Sequence, residues 1–401
     1  MLKGKTVIIG VTGSIAAYKI ANLTSMLMKK HCSVHVLMTE NATNFINPIT
    51  FETLTNNKCQ VDTFDRNFQF NVSHVSLAKK ADLMIIAPAT ANIISKLAYG
   101  LADDMLTTTA LACTCKKIIA PAMNTNMYRN PIVQRNIDIL KSYDFTVIPP
   151  DTGMLACGDT GEGKMPDESV LMDYILKETA FEKDMKNLKV LITAGPTREA
   201  IDPVRFITNH SSGKMGYAIA KAAMLRGANV TLISGKTSLT PPPFLNVVDV
   251  ESAEDMYNAV IKRIKEQDII IKSAAVADYR PATVSDEKIK KSDSDMSIPL
   301  ERTKDILKRV GEIREPHQYV CGFSMETQNM LENSRAKLIK KNIDMIVANN
   351  LKEKGVGFNA DTNKVTVITK DNETELELMS KDEVAYKLLT LIMSERMKLK
   401  K

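Results

Sequence analysis

Residues 193–216 read TAGPTREAIDPVRFITNHSSGKMG. A short apolar run, Lys189–Ile192, precedes them, and an alanine-rich helical pattern, Tyr217–Arg226, follows. A strand that enters a long Gly/Pro/Ser loop and then a helix is where open α/β sheets receive anionic ligands. Exposed amides and the positive helix end both favour negative charge there. The loop carries Arg198, Arg205, Asn209, His210 and Lys214, more polar chemistry than a connection needs. A nucleotide or phosphate site is therefore expected in mid-chain. It is not a P-loop: Met215 stands where Ser or Thr is required, and Thr208 where the earlier glycine belongs.

Working outward, apolar runs alternate with helical patterns in both directions, the mark of βαβ units. In the first half the expected strands are Thr6–Val11, Ser33–Met38, Asp82–Ala87, Lys117–Ala120 and Phe145–Ile148, with a helix over Ile15–Lys30. A glycine-rich loop, Asp151–Pro166, precedes a last helix to about Ala180, and the charged stretch 181–188 reads as a linker. In the second half strands are expected at Lys189–Thr193, Asn229–Ile233, Asn246–Val250, Asp268–Ser273, Gln318–Phe323 and Ile343–Ala348. Lys364–Thr369 is expected to add an edge strand, before a terminal helix from Lys381. The expected fold class is α/β, two tandem Rossmann-like doubly wound domains, residues 1–180 and 189–401. The tail after about Asn349 offers no chemistry beyond completing the second domain.

With 401 residues, two cores are the better division. The net charge of +6 is modest and no basic run is interleaved with aromatics, which argues against nucleic acid as a partner. Six cysteines show no paired spacing, and Cys113 and Cys115 lack a nearby histidine or second pair, so neither disulfides nor zinc are expected. The N-terminal apolar run is broken by Thr12, Gly13 and Ser14, and no run of about 20 apolar residues occurs. A cytoplasmic setting is the expectation.

VIIGVTGSIAAYK, residues 7–19, is strand, tight turn and helix, with Gly13 and Ser14 placed to let amides approach a phosphate. An NAD fold is the rival, with Glu40 as the ribose acid, but glycines at 10 and 13 do not make G-x-G-x-x-G. Thr39, then Pro88–Asn92, then Pro121–Asn124 follow successive strands, so all fall on the carboxyl edge of one sheet. His74 precedes an amphipathic helix; alone, such a histidine reads as structural more often than catalytic. Cys157 lies in GMLACGDTGEGKM, a loop whose length suits a lid. In the second half AAVADYR (274–280) and DEKIKK (286–291) follow the strand that ends near Ser273, the latter long enough to fold over a site. Taken alone, DEKIKK reads as a solvated charged loop.

Together GSIAAYK, SHVSLAKKADL, APATANIISKLAYGLADDML, PAMNTNMY and ACGD resemble the flavin-containing cysteine decarboxylases. The second half resembles phosphopantothenate–cysteine ligase. In this order the two match the bacterial bifunctional decarboxylase/ligase family of coenzyme A synthesis, from Lys5 to about Ala348. The resemblance implies a flavodoxin-like first domain holding FMN at Gly13, Ser14, Thr39, Thr90, Ala91, Asn92 and Ile93, with Ala122 beside it. It makes His74 the active-site histidine, Asn124 the holder of the substrate carboxylate and Cys157 the proton donor on the lid. A flavin suits the reaction, because a cysteine carboxylate has no adjacent electron sink until its CH2–SH group is transiently oxidised.

In the ligase half the resemblance makes Asn209 the residue that stabilises an acyl-nucleotide and Lys288 the one needed to form it, with Arg205 and His210 flanking Asn209. Ser273, Ala274, Asp278, Phe323, Lys337 and Lys341 match nucleotide contacts, and Lys304, Asp305, Ile306 and Leu307 a further loop. Many relatives read N-P-D-I where this chain has Thr303-Lys304-Asp305-Ile306. CTP with Mg2+ or Mn2+ is implied as co-substrate, 4'-phosphopantothenate and cysteine as substrates, with trimeric decarboxylase and dimeric ligase cores combining into a homo-oligomer, a dodecamer if both symmetries close. The metal ligands stay unassigned. A regulatory flavin-binding protein of the same fold is the alternative.

Overall fold

A computed structural model describes residues 2–63, 74–155, 158–290, 296–326, 330–350, 357 and 360–399. It divides into two compact units, Met1–Glu182 and Lys183–Lys401.

In the first unit the order is β1 (Thr6–Val11), α1 (Tyr18–Lys29), β2 (Ser33–Met38), α2 (Pro48–Thr55), α3 (His74–Lys80), β3 (Leu83–Ala89), α4 (Ala91–Tyr99) and α5 (Met105–Ala112). There follow β4 (Lys116–Pro121), α6 (Thr125–Arg129), α7 (Pro131–Ser142), β5 (Thr146–Val147), β6 (Asp151–Met154), β7 (Thr160–Lys164) and α8 (Glu168–Thr179). The five-stranded parallel sheet runs β2-β1-β3-β4-β5, the flavodoxin-like order, which reverses direction between β1 and β3. Every residue of β3 is buried, as a central parallel strand covered on both faces requires. Two expectations change. The helix over 15–30 begins with a 3-10 turn, Ile15–Ala17, capped by Ser14, and becomes α-helical only at Tyr18. The segment 151–166 is not a structureless lid: β6 and β7 pair antiparallel, because alternating short residues there satisfy each other's backbone.

The second unit runs β8 (Lys189–Ala194), β9 (Arg198–Ala200), β10 (Phe206–Thr208), α9 (Lys214–Leu225), β11 (Asn229–Ser234), β12 (Asn246–Asp249), α10 (Ala253–Arg263), β13 (Ile269–Lys272) and β14 (Tyr279–Pro281). Next come β15 (Leu300–Arg302), α11 (Ile306–Ile313), β16 (Tyr319–Glu326), α12 (Met330–Lys340), β17 (Met345–Asn350), β18 (Thr362–Thr369), β19 (Glu373–Ser380) and α13 (Lys381–Leu399). Its main sheet is ordered β12-β11-β8-β13-β16-β17-β18-β19. The first six strands are parallel and follow the 3-2-1-4-5-6 order of dinucleotide-binding sheets, reversing between β8 and β13. Lys364–Thr369 falls within β18 but is not the edge. The polar, alternating stretch Glu373–Ser380 pairs outside it as β19, whose exposed glutamates suit a solvent-facing rim. Both β18 and β19 run antiparallel.

α9 is buried from Gly216 to Leu225 apart from Lys221, since β8 and β11 cover one side and α13 the other. Of the 181–188 stretch, residues 183–188 belong to this unit: Met185 is fully buried, Asp184 pairs with the Arg226 guanidinium and Lys183 donates to the Leu225 carbonyl. Among the described residues no helix is long and apolar enough to cross a membrane.

Candidate active sites

The first site forms at the switch point of the first sheet. The Thr12 hydroxyl donates to the Pro88 carbonyl (2.6 Å) and accepts from the Thr90 amide (3.2 Å), tying the loops after β1 and β3 together. Ser14 caps the turn into α1, and Thr90 caps α4 by accepting from the Ile93 amide. Both helix starts therefore open on the same edge. Pro88 and Ala89 belong to β3 itself, through a cis Ala87–Pro88 peptide, and the Ala122 amide bonds to the Ala89 carbonyl. A cavity of about 460 Å³ lies here, bounded by Ser14, Ile15, Tyr18, Ala122, Asn124 and the hairpin residues Met154 and Leu155, among others. Exposed Ile15, Tyr18 and Met154 make one wall apolar.

Asn124 sits between two duties. Its side-chain oxygen accepts from the Asn126 amide (2.8 Å), and its Nδ2 donates to Asp159 (3.1 Å) in the turn of the β6–β7 hairpin. The Met123 amide bonds to the Gly163 carbonyl, docking that hairpin on the loop after β4. Gly163 has φ +133°, and a Cβ there would stand 2.2 Å from the Met123 carbonyl oxygen, so glycine alone permits this approach. Gly163→Ala is expected to lift the hairpin by about an ångström and lower turnover at this site about 100-fold, a misplacement effect, while turnover in the second unit stays unchanged.

Of the other expected residues, Thr39 has a buried hydroxyl oxygen with no partner among the described residues, and Ile93 is a core side chain that can offer a ligand only its backbone. Gly13, Thr39, Thr90, Ala91, Asn92 and Ile93 border the switch point but do not line the cavity. His74 opens α3 and is not a lining residue either. Cys157 lies outside the described residues; Leu155 and Gly158 on either side are joined by a Gly158 amide to Leu155 carbonyl bond.

The second site forms at the switch point of the larger sheet. There the loops after β8 and β13 are zipped together: the Ala275 amide bonds to the Gly195 carbonyl, the Thr197 amide to the Ala275 carbonyl, and the Thr193 hydroxyl accepts from the Ala274 amide. Asn209 Nδ2 donates to the Ala275 carbonyl (3.1 Å), fixing the carboxamide against this seam. Gly213 has φ +80°, and a Cβ there would stand 3.3 Å from the Gly195 Cα, so glycine lets the 209–213 loop close onto the β8 end before α9 begins. The resulting cavity of about 330 Å³ straddles the carboxyl edge of the sheet. Asn209, Ser273, Ala274, Asp278 and Phe323 line it as expected residues, brought together from three separated segments.

Other expected residues flank this cavity without lining it. Lys341 pairs with Asp305, which caps α11 by accepting from the Lys308 amide, and Lys337 reaches Ser324 (3.3 Å). Lys304 pairs with Glu254 and lies over the Tyr257 ring. Ile306 is a core side chain and Leu307 packs against the same core. His210 is exposed. Arg205 lines a different cavity, and its guanidinium engages Asp202 and the Ile289 carbonyl (2.7 Å). That contact holds the Asp202 carboxyl far below the usual carboxylate range. Asp202 also accepts from the Ile289 amide (3.2 Å), so both backbone groups of Ile289 are clamped and exposed Lys288 is presented from an anchored segment.

Sequence reasoning missed Lys272, Asn349, Asn363 and Lys381, all of which line the cavity. Lys272 ends β13, between Thr193 of β8 and Gly322 of β16. Among the described residues its ammonium has no hydrogen-bond partner; burial pushes it down to about 8, with Asp305 and Asp278 opposing and Lys341 adding to the shift. A lysine breaking an isoleucine run at a strand's carboxyl end was the one available signal. Among the described residues no group of three or more His, Cys, Asp or Glu converges as a metal site.

Comparison with known proteins matches both halves of the chain. Residues 1–180 match the Flavoprotein family model, and residues 185–395 match the model of the DNA/pantothenate metabolism flavoprotein C-terminal domain. The coenzyme A biosynthesis bifunctional protein CoaBC of Bacillus subtilis is 48% identical over 393 residues, covering 97% of each chain. CoaBC of Escherichia coli K12 is 42% identical over 396 residues, 98% of each. A solved C-terminal domain of a CoaBC protein is 48% identical over 53% of this chain and 96% of its own, with a TM-score of 0.46. The FMN-dependent cysteine decarboxylase SpaF is 32% identical over 40% of this chain and 90% of its own, with a TM-score of 0.36. With two doubly wound units, a cavity at the switch point of each, and relatives matched nearly end to end, this chain belongs to the CoaBC family of bifunctional phosphopantothenoylcysteine decarboxylase and phosphopantothenate–cysteine ligase enzymes of coenzyme A biosynthesis.

Proposed function

We propose that residues 189–401 join cysteine to 4'-phosphopantothenate through an acyl-cytidylate made from CTP, and that residues 1–180 then decarboxylate the product to 4'-phosphopantetheine in the cytoplasm, the 181–188 stretch linking them. The observation that carries the ligase reading is the convergence of Asn209, Ser273, Ala274, Asp278 and Phe323 on one switch-point cavity. A carboxylate is a poor electrophile. Transfer of a nucleotidyl group makes a mixed anhydride, and the cysteine amine displaces the nucleotide. Asn209, its Nδ2 anchored, offers its remaining carboxamide face to that anhydride. Lys288, Lys337, Lys341 and a divalent cation carried by CTP (Mg2+ or Mn2+) offset phosphate charge.

Lys272 adds to this set. A charge-assisted contact to phosphate is worth roughly 1.5–3 kcal/mol, so Lys272→Met is expected to raise the KM for CTP about 10- to 100-fold. The ammonium is charged below about pH 8 and neutral above it, so wild-type KM for CTP climbs above that pH. Lys272→Arg removes the climb. Pyrophosphate release without cysteine reads both effects.

In the first unit Gly13, Ser14, Thr39, Thr90, Ala91, Asn92, Ile93 and Ala122 would hold FMN; the buried Thr39 hydroxyl, with no partner among the described residues, and the two helix starts suit its phosphate and polar groups. Bound there, FMN supplies a reversible two-electron acceptor for the thiol carbon. Asn124 orients the substrate carboxylate, the apolar wall excludes water, and Cys157 returns a proton. His74 serves the cavity of a neighbouring copy, in trimeric decarboxylase cores that ligase dimers would join, into a dodecamer if both symmetries close.

The test is incubation of the FMN-replete protein with 4'-phosphopantothenate, cysteine, Mg2+ and either CTP or ATP, followed by mass spectrometry. The expected result is 4'-phosphopantetheine with CTP and little product with ATP. Equal turnover with ATP would overturn the nucleotide assignment. No product with either would favour a regulatory flavin-binding protein.

A further inference from the structure

The cavity of the second unit contains polar groups that the acyl-nucleotide reading leaves unused. Asn349 of β17 and Asn363 of β18 are 5% and 3% exposed, and among the described residues the side-chain oxygen of each lacks a hydrogen-bond partner. Both residues line the cavity. Asn349 is registered opposite Val365, two residues from Asn363, so the two carboxamides are diagonal neighbours across the antiparallel pair. Buried acceptors are costly to leave unmade, and two of them side by side call for one ligand with several N–H donors. Next to them in the cavity lining stand Lys214 and Lys381. Lys214 pairs with Asp361 (2.7 Å), whereas buried Lys381 donates to the neutral Gly357 carbonyl (3.1 Å). Burial and the Lys214 charge both push the Lys381 ammonium down, Asp361 opposing them. Two cations thus stand beside the two acceptors.

We propose that this end of the cavity is the subsite for the α-amino acid co-substrate, its amine received by the side-chain oxygens of Asn349 and Asn363 and its carboxylate by Lys381. Few small molecules carry a multiple N–H donor and an anion on adjacent atoms, and cysteine is the one the ligase reaction requires; the inference rests on that reading. Neutral acceptors suit the chemistry. A carboxylate in their place would hold the amine as ammonium, whereas a carboxamide orients it without raising its pKa. The ammonium first sheds a proton to solvent. The C–N bond then forms at the acyl carbon, the C–O bond to the phosphate breaks with its electron pair leaving on the nucleoside monophosphate, and the nitrogen loses its surplus proton to solvent. The asparagines take no proton.

Two half-reactions separate this role from others. Asn349→Leu and Asn363→Leu are expected to raise the KM for cysteine at least tenfold while pyrophosphate release from CTP and 4'-phosphopantothenate, measured without cysteine, keeps its wild-type rate. Asn349→Asp, which preserves shape and acceptors, is expected to leave KM for cysteine unraised while kcat falls and its pH optimum moves upward. Lys381→Met is expected to remove the preference for cysteine over cysteamine, which lacks the carboxylate. Unchanged KM for cysteine in both leucine variants, or a parallel loss of pyrophosphate release, would overturn the subsite. Absence of pyrophosphate release in the wild-type protein would instead overturn the ligase reading beneath it.

Discussion

Lys288→Gln is expected to leave amide synthesis reduced about 10²- to 10³-fold, the scale of losing one preorganised charge at a transition state. Decarboxylation of supplied 4'-phosphopantothenoylcysteine is expected to continue at the wild-type rate. The reasoning begins with the segment. Lys288 itself is exposed, but Ile289 beside it is held at both its amide and its carbonyl by Asp202 and Arg205, and the Ser285 amide is held by the Ile201 carbonyl. The ammonium is thus carried on a short anchored strap. Glutamine keeps the stem and the strap but removes the charge, so a large loss identifies electrostatics rather than folding. Asp202→Asn provides the complementary case: it weakens the clamp while leaving Lys288 charged, and is expected to cost amide synthesis less than Lys288→Gln. Both assays on both variants decide the matter, and wild-type ligation by Lys288→Gln would remove Lys288 from the mechanism.

His74→Asn and Asn124→Asp are each expected to lower decarboxylation at least 100-fold, on the scale of a general acid–base group or a substrate clamp. His74 opens α3 and does not line the cavity that Asn124 lines, so the two are expected to meet across a boundary between copies. Co-expression of the two variants is then expected to restore about a quarter of the sites by random pairing, each with one intact histidine and one intact asparagine. Ligase activity is unaffected in either variant. No restoration in mixed oligomers would place both residues in one chain's site, and full activity of His74→Asn would remove the histidine altogether.

Much of this was legible in the chain because it is local. β1 and β2 fall where the apolar runs Thr6–Val11 and Ser33–Met38 end, and α13 starts at Lys381 as the pattern indicates. The loops that carry chemistry were found because Gly, Pro and polar residues cluster after strands, at Thr12–Ser14, Thr90 and Asn209–Lys214. The hairpin at 151–164 was not legible, since a glycine-rich stretch is equally compatible with a loop and its pairing depends on docking against Met123 and Asn124. β19 was missed because Glu373–Ser380 is polar enough to pass for a turn until β18 offers it a partner.

What the sequence determined by itself was the alternation of strands and helices in two series and the residue types at each strand end, because periodicity and turn chemistry act over a few neighbours. Only the tertiary structure decided which strand ends meet. Thr193 and Ala274 are joined across the switch point because β8 and β13 are adjacent in the sheet, and no local pattern states a strand order. The same holds for Lys272, Asn349 and Asn363. A lysine without a partner or an amide without a donor is a property of everything packed around it, and that is set when distant strands pair.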